Sequence, residues 1–317
     1  MSAIEQAGVQ SLAGVNCPLC GKSNIFVSRR IGTGRLASYW NDLGYDLYAN
    51  FPQLLSGMAK CQCIDCDVRF FLPRAAGGPD LYSALGRSPV YYPSAKWEYE
   101  HVLRHLRARK KGGSLLEFGC GPGLFLQNAS AYFDLAVGLD FNNTAVNEAR
   151  GRGLDVRAAG LETLNETFDT IVAFQVIEHV PEPGETLRQL ALLLKPGGEL
   201  IVAVPNEDGL LGSLEWNCLN MPPHHSTCWT RRAFESVAFL THLELERYSE
   251  EPLGLDLYLG SIHERLDRYF SGGGLLRLAF WPMRRAAIAA ALVKYDEFRM
   301  DKTGHTHIAF FRKPPAT

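Results

Sequence analysis

The run Leu115-Leu116-Glu117-Phe118-Gly119-Cys120-Gly121-Pro122-Gly123 constrains this chain more than any other feature. A short apolar strand leads into a turn with glycine at alternate positions, and Leu124-Phe125-Leu126 opens a helical pattern directly after it. Glycine removes the Cβ atoms that would hold a ligand away from the backbone, and the first amides of the following helix lack intrahelical partners. Such a corner admits a ligand against bare main chain. The spacing is G-x-G-x-G. A dinucleotide fingerprint would place its third glycine at position 124, which is Leu124, so pyrophosphate recognition of that kind fails and a nicotinamide-dependent oxidoreductase is the alternative reading.

Beyond this corner, short apolar runs at Ser114–Phe118, Leu135–Leu139, 154–157, 170–174 and 199–204 alternate with helix-length segments at 124–132, 143–152 and 185–194. That order predicts a doubly wound, mostly parallel α/β sheet covered on both faces. Upstream, Tyr99, Val102, Leu103 and Leu106 form one apolar stripe on a helix over 94–110. Its basic end, Arg107, Arg109, Lys110 and Lys111, reads either as ordinary C-terminal cations or as a phosphate patch. A helix over Arg231–Thr241, a strand over 243–248, a helical insertion over about 253–300 and a last strand over 305–311 complete the pattern, with the last strand expected at the sheet's edge.

The 317 residues suffice for one large core and a small appendage. The division expected is a cysteine-rich module over 1–75, a Gly/Pro/Tyr-rich linker over 76–96 and the α/β domain over 97–317. With 32 Lys+Arg against 34 Asp+Glu, the net charge of −2 provides no general field for nucleic acid. The first residues lack a secretory pattern, and the apolar stretch over 275–293 is broken by Arg277, Pro282, Arg284 and Arg285, so a cytoplasmic chain without a transmembrane segment is expected.

Of eight cysteines, Cys17, Cys20, Cys61, Cys63 and Cys66 crowd the first 66 residues. Cys17-Pro18-Leu19-Cys20 and Cys63-Ile64-Asp65-Cys66 are two C-x-x-C knuckles whose four thiolates suit a structural Zn2+. An iron–sulfur centre or free structural thiols are the other readings. The knuckles lie farther apart than the ~15–20 residues of a compact ribbon, so a helical insertion over 37–55 must loop out between them. Cys61 is either spare or a substitute ligand. A closed four-thiolate site leaves no open coordination position and shapes the module rather than activating substrate.

The second strand of the sheet ends at Asp140, a carboxylate able to grip a ribose diol at the adjoining edge, or to cap the helix that follows. Together with the acidic residue ahead of G-x-G-x-G, the run Phe168-Asp169-Thr170-Ile171-Val172-Ala173-Phe174, then Val176-Ile177-Glu178-His179-Val180, then Leu194-Lys195-Pro196-Gly197-Gly198-Glu199-Leu200, the chain resembles the class I S-adenosylmethionine-dependent methyltransferases over about residues 97–317. The resemblance implies a Rossmann-like domain that binds S-adenosyl-L-methionine. It implies that the backbone at Gly119, Cys120, Gly121 and Gly123 lines the methionine part, that Asp140 holds the ribose and that Phe141 flanks adenine. Leu161 would meet the adenine edge, in a loop where many relatives carry aspartate, and Gln175 and Glu117 would lie near the cofactor's amino group. Several methyltransferase groups carry a similar N-terminal cysteine module, some acting on sugar nucleotides and others on ribosomal RNA.

A methyl transfer needs an acceptor aligned behind the sulfonium and, where required, a base. Candidate bases are His225, His224 and His179, of which the first two follow the rigid turn Met221-Pro222-Pro223. Each equally reads as an imidazole tied to backbone carbonyls. The near-neutral charge favours a small-molecule, sugar-nucleotide or glycan-precursor acceptor over RNA, and a non-catalytic scaffold or sensor keeps the same cofactor features. Tyr91, Tyr92 and Trp97 read either as the acceptor entrance or as interdomain packing. The 253–300 insertion, with Gly272-Gly273-Gly274 inside it, reads as a packed cap with Ile288, Leu292 and Tyr295 on its buried face, or as a lid, a homodimer contact or a membrane-surface helix.

Overall fold

The computed structural model describes residues 12–86, 91, 93, 95–214, 216–269 and 281–315. The first eleven residues, Tyr92 and Gly272-Gly273-Gly274 lie outside them. The α/β part runs α4 (Trp97–Arg107), β4 (Ser114–Phe118), α5 (Leu124–Ala129), β5 (Leu135–Leu139), α6 (Asn143–Gly151), β6 (Asp155–Arg157), β7 (Phe168–Phe174), α7 (Pro183–Leu192), β8 (Leu194–Pro205), α8 (Arg231–Thr241), β10 (Glu244–Pro252), α9 (Leu255–Tyr269), α10 (Trp281–Asp301) and β11 (Thr303–Arg312). Its seven-stranded sheet has the order β10-β11-β8-β7-β4-β5-β6. The five strands from β8 to β6 are mutually parallel, and β11 is antiparallel to both its neighbours.

The alternation of side chains along each strand explains both layers. Leu115, Val172, Ile201, Ile308 and Phe310 face α4, α5 and α6 through Val102, Leu106, Phe125 and Val146. Leu116, Ile171, Leu200, Ala309 and Phe311 face α7 and α8 through Leu187, Leu190, Phe234 and Val237.

The last strand is interior, not at the edge as expected. The run Ile308-Ala309-Phe310-Phe311 is buried on both faces, which only an interior position satisfies. Glu244–Pro252, rich in carboxylates and half exposed, takes the edge, where charge blocks further pairing. The Lys195-Pro196-Gly197-Gly198 turn is a bulge inside β8: pairing with β7 jumps from Phe168–Leu194 to Thr170–Glu199, and Gly197 adopts φ +74°. The basic end of α4 serves structure, since Arg109 pairs with buried Glu199 and Arg107 with Glu100.

The cysteine-rich part contributes β1 (Ile25–Ile31), β2 (Met58–Cys63) and β3 (Arg69–Leu72), and β9 (Thr227–Cys228) from the α/β part extends the same sheet. The expected 37–55 insertion is two helices, α1 (Gly34–Asp42) and α2 (Leu47–Asn50), and a 3-10 turn. Within 76–96 lies α3 (Pro79–Leu85), which buries Leu81, Tyr82 and Leu85 with Trp40 and Met221. The knuckle residues Cys17, Leu19, Cys66 and Val68 share a core with α7, where the Gly184 amide donates to the Pro18 carbonyl. In the insertion, α10 turns Tyr295 inward as expected and leaves Ile288 half-buried, but Ala291 and Phe298 join that face in place of Leu292, which is 46% exposed. No described helix is long and apolar enough to cross a membrane.

Candidate active site

Strand order reverses between β4 and β7, so the loops at the carboxyl ends of β4, β5 and β7 surround one crevice. Gly119, Gly121 and Gly123 all have positive φ (+73°, +52° and +75°), which an L side chain rarely adopts. A Cβ on Gly119 would stand 2.3 Å from Val176 Cγ2, and one on Gly123 2.5 Å from Leu154 Cδ1. The Cys120 side chain turns back onto Gly138, where a Cβ would lie 2.7 Å from its sulfur, leaving only its backbone for the crevice.

Asp140 ties the two loops together: one oxygen accepts the Gly121 amide at 2.8 Å and the other the Asn142 amide at 2.8 Å. Burial pushes its pKa up against these bonds. Asn142, rather than Asp140, caps α6. Behind the turn, Glu117 is 2% exposed and its Oε2 has no hydrogen-bond partner among the described residues. Burial raises its pKa well above the usual carboxylate range. A buried acceptor left open beside a cradle of bare backbone is where a ligand's donor belongs. Phe141 is exposed next to Asp140, its ring 5.3 Å from that of Tyr82. Leu161 opens a 3-10 turn but sends its side chain into the core.

Gln175 directly follows β7 with φ +55°, a conformation retained where the surroundings impose it. Its amide nitrogen donates to Glu98 Oε1 at 3.4 Å and Thr306 Oγ1 at 3.3 Å. A cavity next to this contact is lined by Glu251, Asp256, Leu257 and His305.

The three candidate histidines meet, although His179 lies 45 residues before the adjacent pair His224-His225. The ring centroids of His224 and His225 are stacked 4.5 Å apart, and His179 lies 4.6 and 4.7 Å from them. The Ser226 and Thr227 amides donate to the Glu178 carbonyl, joining the loop after β7 to the loop before β9. His179 Nδ1 faces the His224 carbonyl at 2.6 Å, His224 Nδ1 the Leu219 carbonyl at 2.8 Å, and His225 Nδ1 the Asn220 Oδ1 at 2.8 Å. Burial holds all three imidazoles neutral, with His179 lowered to about 4 and the others well below the usual value. Tyr91, one of the expected entrance residues, places its hydroxyl 2.9 Å from His224 Nε2, whereas Trp97 stacks on His101.

The sulfurs of Cys17, Cys20, Cys63 and Cys66 all lie within 4.8 Å of one another, with Cys17–Cys66 at 3.5 Å and Cys20–Cys63 at 3.6 Å. Cys61 is outside this group, buried with Ala59, Phe70 and Leu72. It is a core residue.

Residues 95–245 match the protein family described as "Methyltransferase domain". This segment, just under half of the chain, combines that family match with the strand order of a class I methyltransferase domain. The methyltransferase domain is similar to the "Ubiquinone biosynthesis O-methyltransferase" of Caulobacter vibrioides, 39% identical over 110 residues, which is 32% of this chain and 44% of the relative. A second relative, named "Probable S-adenosylmethionine-dependent methyltransferase", from Mycolicibacterium smegmatis, is 32% identical over 113 residues, 34% of this chain and 44% of the relative. The chain spans about half the length of the curated relatives it matches. Among solved structures, N-methyltransferase NodS from Bradyrhizobium japonicum aligns at a TM-score of 0.46 with 15% identity, over 74% of this chain and 98% of its own.

The matched segment of the methyltransferase domain holds the glycine turn, Asp140, Gln175 and all three histidines, and leaves out the cysteine knuckles and β11. Four further residues at the site had weaker signals. Glu98 is a carboxylate on the buried stripe of α4, and such a position is itself a signal. Glu178, Tyr82 and Asn220 acquire their places only through contacts between distant segments.

Proposed function

We propose that this chain transfers the methyl group of S-adenosyl-L-methionine to a small-molecule acceptor held on the crevice side of the sheet. The observation that carries the reading is the crevice itself: three glycines at positive φ, a buried Glu117 oxygen without a partner, and Asp140 at the adjoining strand end. Asp140 would accept the ribose hydroxyls on its remaining lone pairs, the backbone at Gly119–Gly121 would follow the amino-acid part, and Phe141 would cover adenine. Glu117 and Gln175 would hold the cofactor's ammonium end, Glu117 directly or through water. When bound, the cofactor would supply an electrophilic methyl group for the acceptor's lone pair, its sulfur keeping the carbon–sulfur bonding pair and the acceptor's proton passing to solvent.

The acceptor would enter between the histidine cluster and the cavity at His305, beneath α9. The Caulobacter relative is named as an O-methyltransferase, which favours an oxygen nucleophile, and phenols, sugar nucleotides and glycan precursors form the first panel. The four thiols fit a structural Zn2+: Zn–S bonds of about 2.3 Å put sulfurs about 3.8 Å apart in a tetrahedron, near the 3.5 and 3.6 Å observed. Incubation with methyl-labelled cofactor and the panel, read by mass spectrometry, tests the reading. A labelled product supports it. Tight S-adenosylhomocysteine binding with no product from any acceptor, RNA included, favours a cofactor sensor, and binding of NAD instead refutes the cofactor assignment.

A further inference from the structure

We propose that His179, His224, His225 and Glu178 form a binding site for a divalent transition-metal ion, separate from the four-cysteine cluster. The proposal rests on side-chain chemistry alone and not on the methyl-transfer reading.

Each of the three Nδ1 atoms faces an oxygen acceptor: two backbone carbonyls and the Asn220 side-chain oxygen. The Asn220 orientation is set in turn by its amide nitrogen, which donates to Glu207 Oε2 at 3.4 Å, and Glu207 is held by Lys60 and Arg69. A carbonyl cannot donate, so each Nδ1 carries the proton and each Nε2 presents a lone pair. Fixing the tautomer through the distal nitrogen is how metal-ligating histidines are normally supported. One ligand atom from each ring lies within 4.8 Å of the others.

Glu178 faces two of the three rings. It is 0% exposed, and neither carboxylate oxygen has a hydrogen-bond partner among the described residues. Its Oε1 is 3.7 Å from His179 Nε2 and 4.0 Å from His225 Nε2. Those separations are too long for a shared proton. They suit two ligands of one ion, since bonds of about 2.1 Å on either side span at most about 4.2 Å. The buried lone pairs of His179 Nε2, His225 Nε2 and Glu178 Oε1 face one another, and a cation between them would offset the cost of burying them unpaired. The Tyr91 hydroxyl, now donating to His224 Nε2, would yield that position to the ion. Three imidazoles and one carboxylate select zinc or another late first-row ion over magnesium or calcium. The His179 ring meets Tyr82 edge-on at 5.5 Å, and Tyr82 meets Phe141, so the ion would lie on the acceptor side of the crevice. There, under the methyl-transfer reading, it would lower the acceptor's pKa and the histidines would act as ligands rather than bases.

The test uses full-length protein whose cysteine site has been filled with zinc, titrated with Co2+ and followed by visible absorption and by elemental analysis. The expected result is one further ion per chain with a nitrogen/oxygen-ligated d–d spectrum that lacks a thiolate charge-transfer band. Glu178→Gln and His225→Ala should each abolish that spectrum, and Asn220→Ala should weaken Co2+ binding by about 10- to 100-fold. Absence of any further Co2+ uptake by the wild-type protein overturns the proposal without recourse to a variant, as does an unchanged spectrum in folded His225→Ala. Calorimetry with S-adenosylhomocysteine reads the cofactor site separately, so failure of one assignment is distinguishable from failure of the other.

Discussion

Asp140→Asn is the most informative single change. The wild-type carboxylate accepts the Gly121 and Asn142 amides, one on each oxygen, and offers its remaining lone pairs to the crevice. The asparagine amide has one acceptor atom for the same set of donors, so either a loop amide or a ligand hydroxyl must lose its partner. Each hydrogen bond to a charged group contributes about 1.5–3 kcal/mol. Loss of one ligand bond, about 1.5–3 kcal/mol, corresponds to a dissociation constant raised about 10- to 150-fold. Isothermal titration with S-adenosylhomocysteine measures this directly, and a thermal melt on the same sample reports whether the loops remain folded. A folded variant whose affinity stays within about threefold of wild type would refute the ribose assignment, because a carboxylate that grips a diol cannot be neutralised without that loss.

Gly119→Ala places a methyl group 2.3 Å from Val176 at φ +73°, and a cost of about 1–3 kcal/mol should appear as a lower melting temperature together with weakened cofactor binding. Gly184→Ala would put its Cβ 2.0 Å from the Leu19 carbonyl oxygen, pushing the first cysteine knuckle off α7; loss of zinc retention by elemental analysis and a destabilisation of about 1–3 kcal/mol are expected. Chelation of zinc from the wild type should lower its melting temperature, and an unchanged melt in protein shown to be zinc-free would contradict a structural role. Burial lowers the pKa of His307 from the ordinary value to about 3. The unfolded chain then binds the extra proton first, so stability is retained above about pH 6.5 and falls as pH drops, by about 1.4 kcal/mol per unit for this group. Folded His307→Gln should flatten that slope in denaturant titrations between pH 4 and 6.5; an unaltered slope would count against it.

The parallel strands and the glycine-rich corner were legible because their signals are local. Leu115–Gly123 carries its strand, its turn and the start of its helix within a dozen residues, and the period of the apolar positions in 97–107 or 185–192 states which face is buried without reference to the rest of the chain. The two C-x-x-C knuckles are legible for the same reason, since each presents two thiols on one tight turn. Tertiary structure alone decided the remainder. Strand Thr303–Arg312 enters the sheet interior because its apolar run outcompetes the charged Glu244–Pro252 for the doubly buried position, a comparison between segments that no local window contains. Thr227–Cys228 joins the cysteine-rich sheet, and the same loop carries His224 and His225 to Glu178 and His179. Such meetings depend on long-range pairing, so the residue types were readable from the chain while their common site arose only when the sheet had ordered its loops.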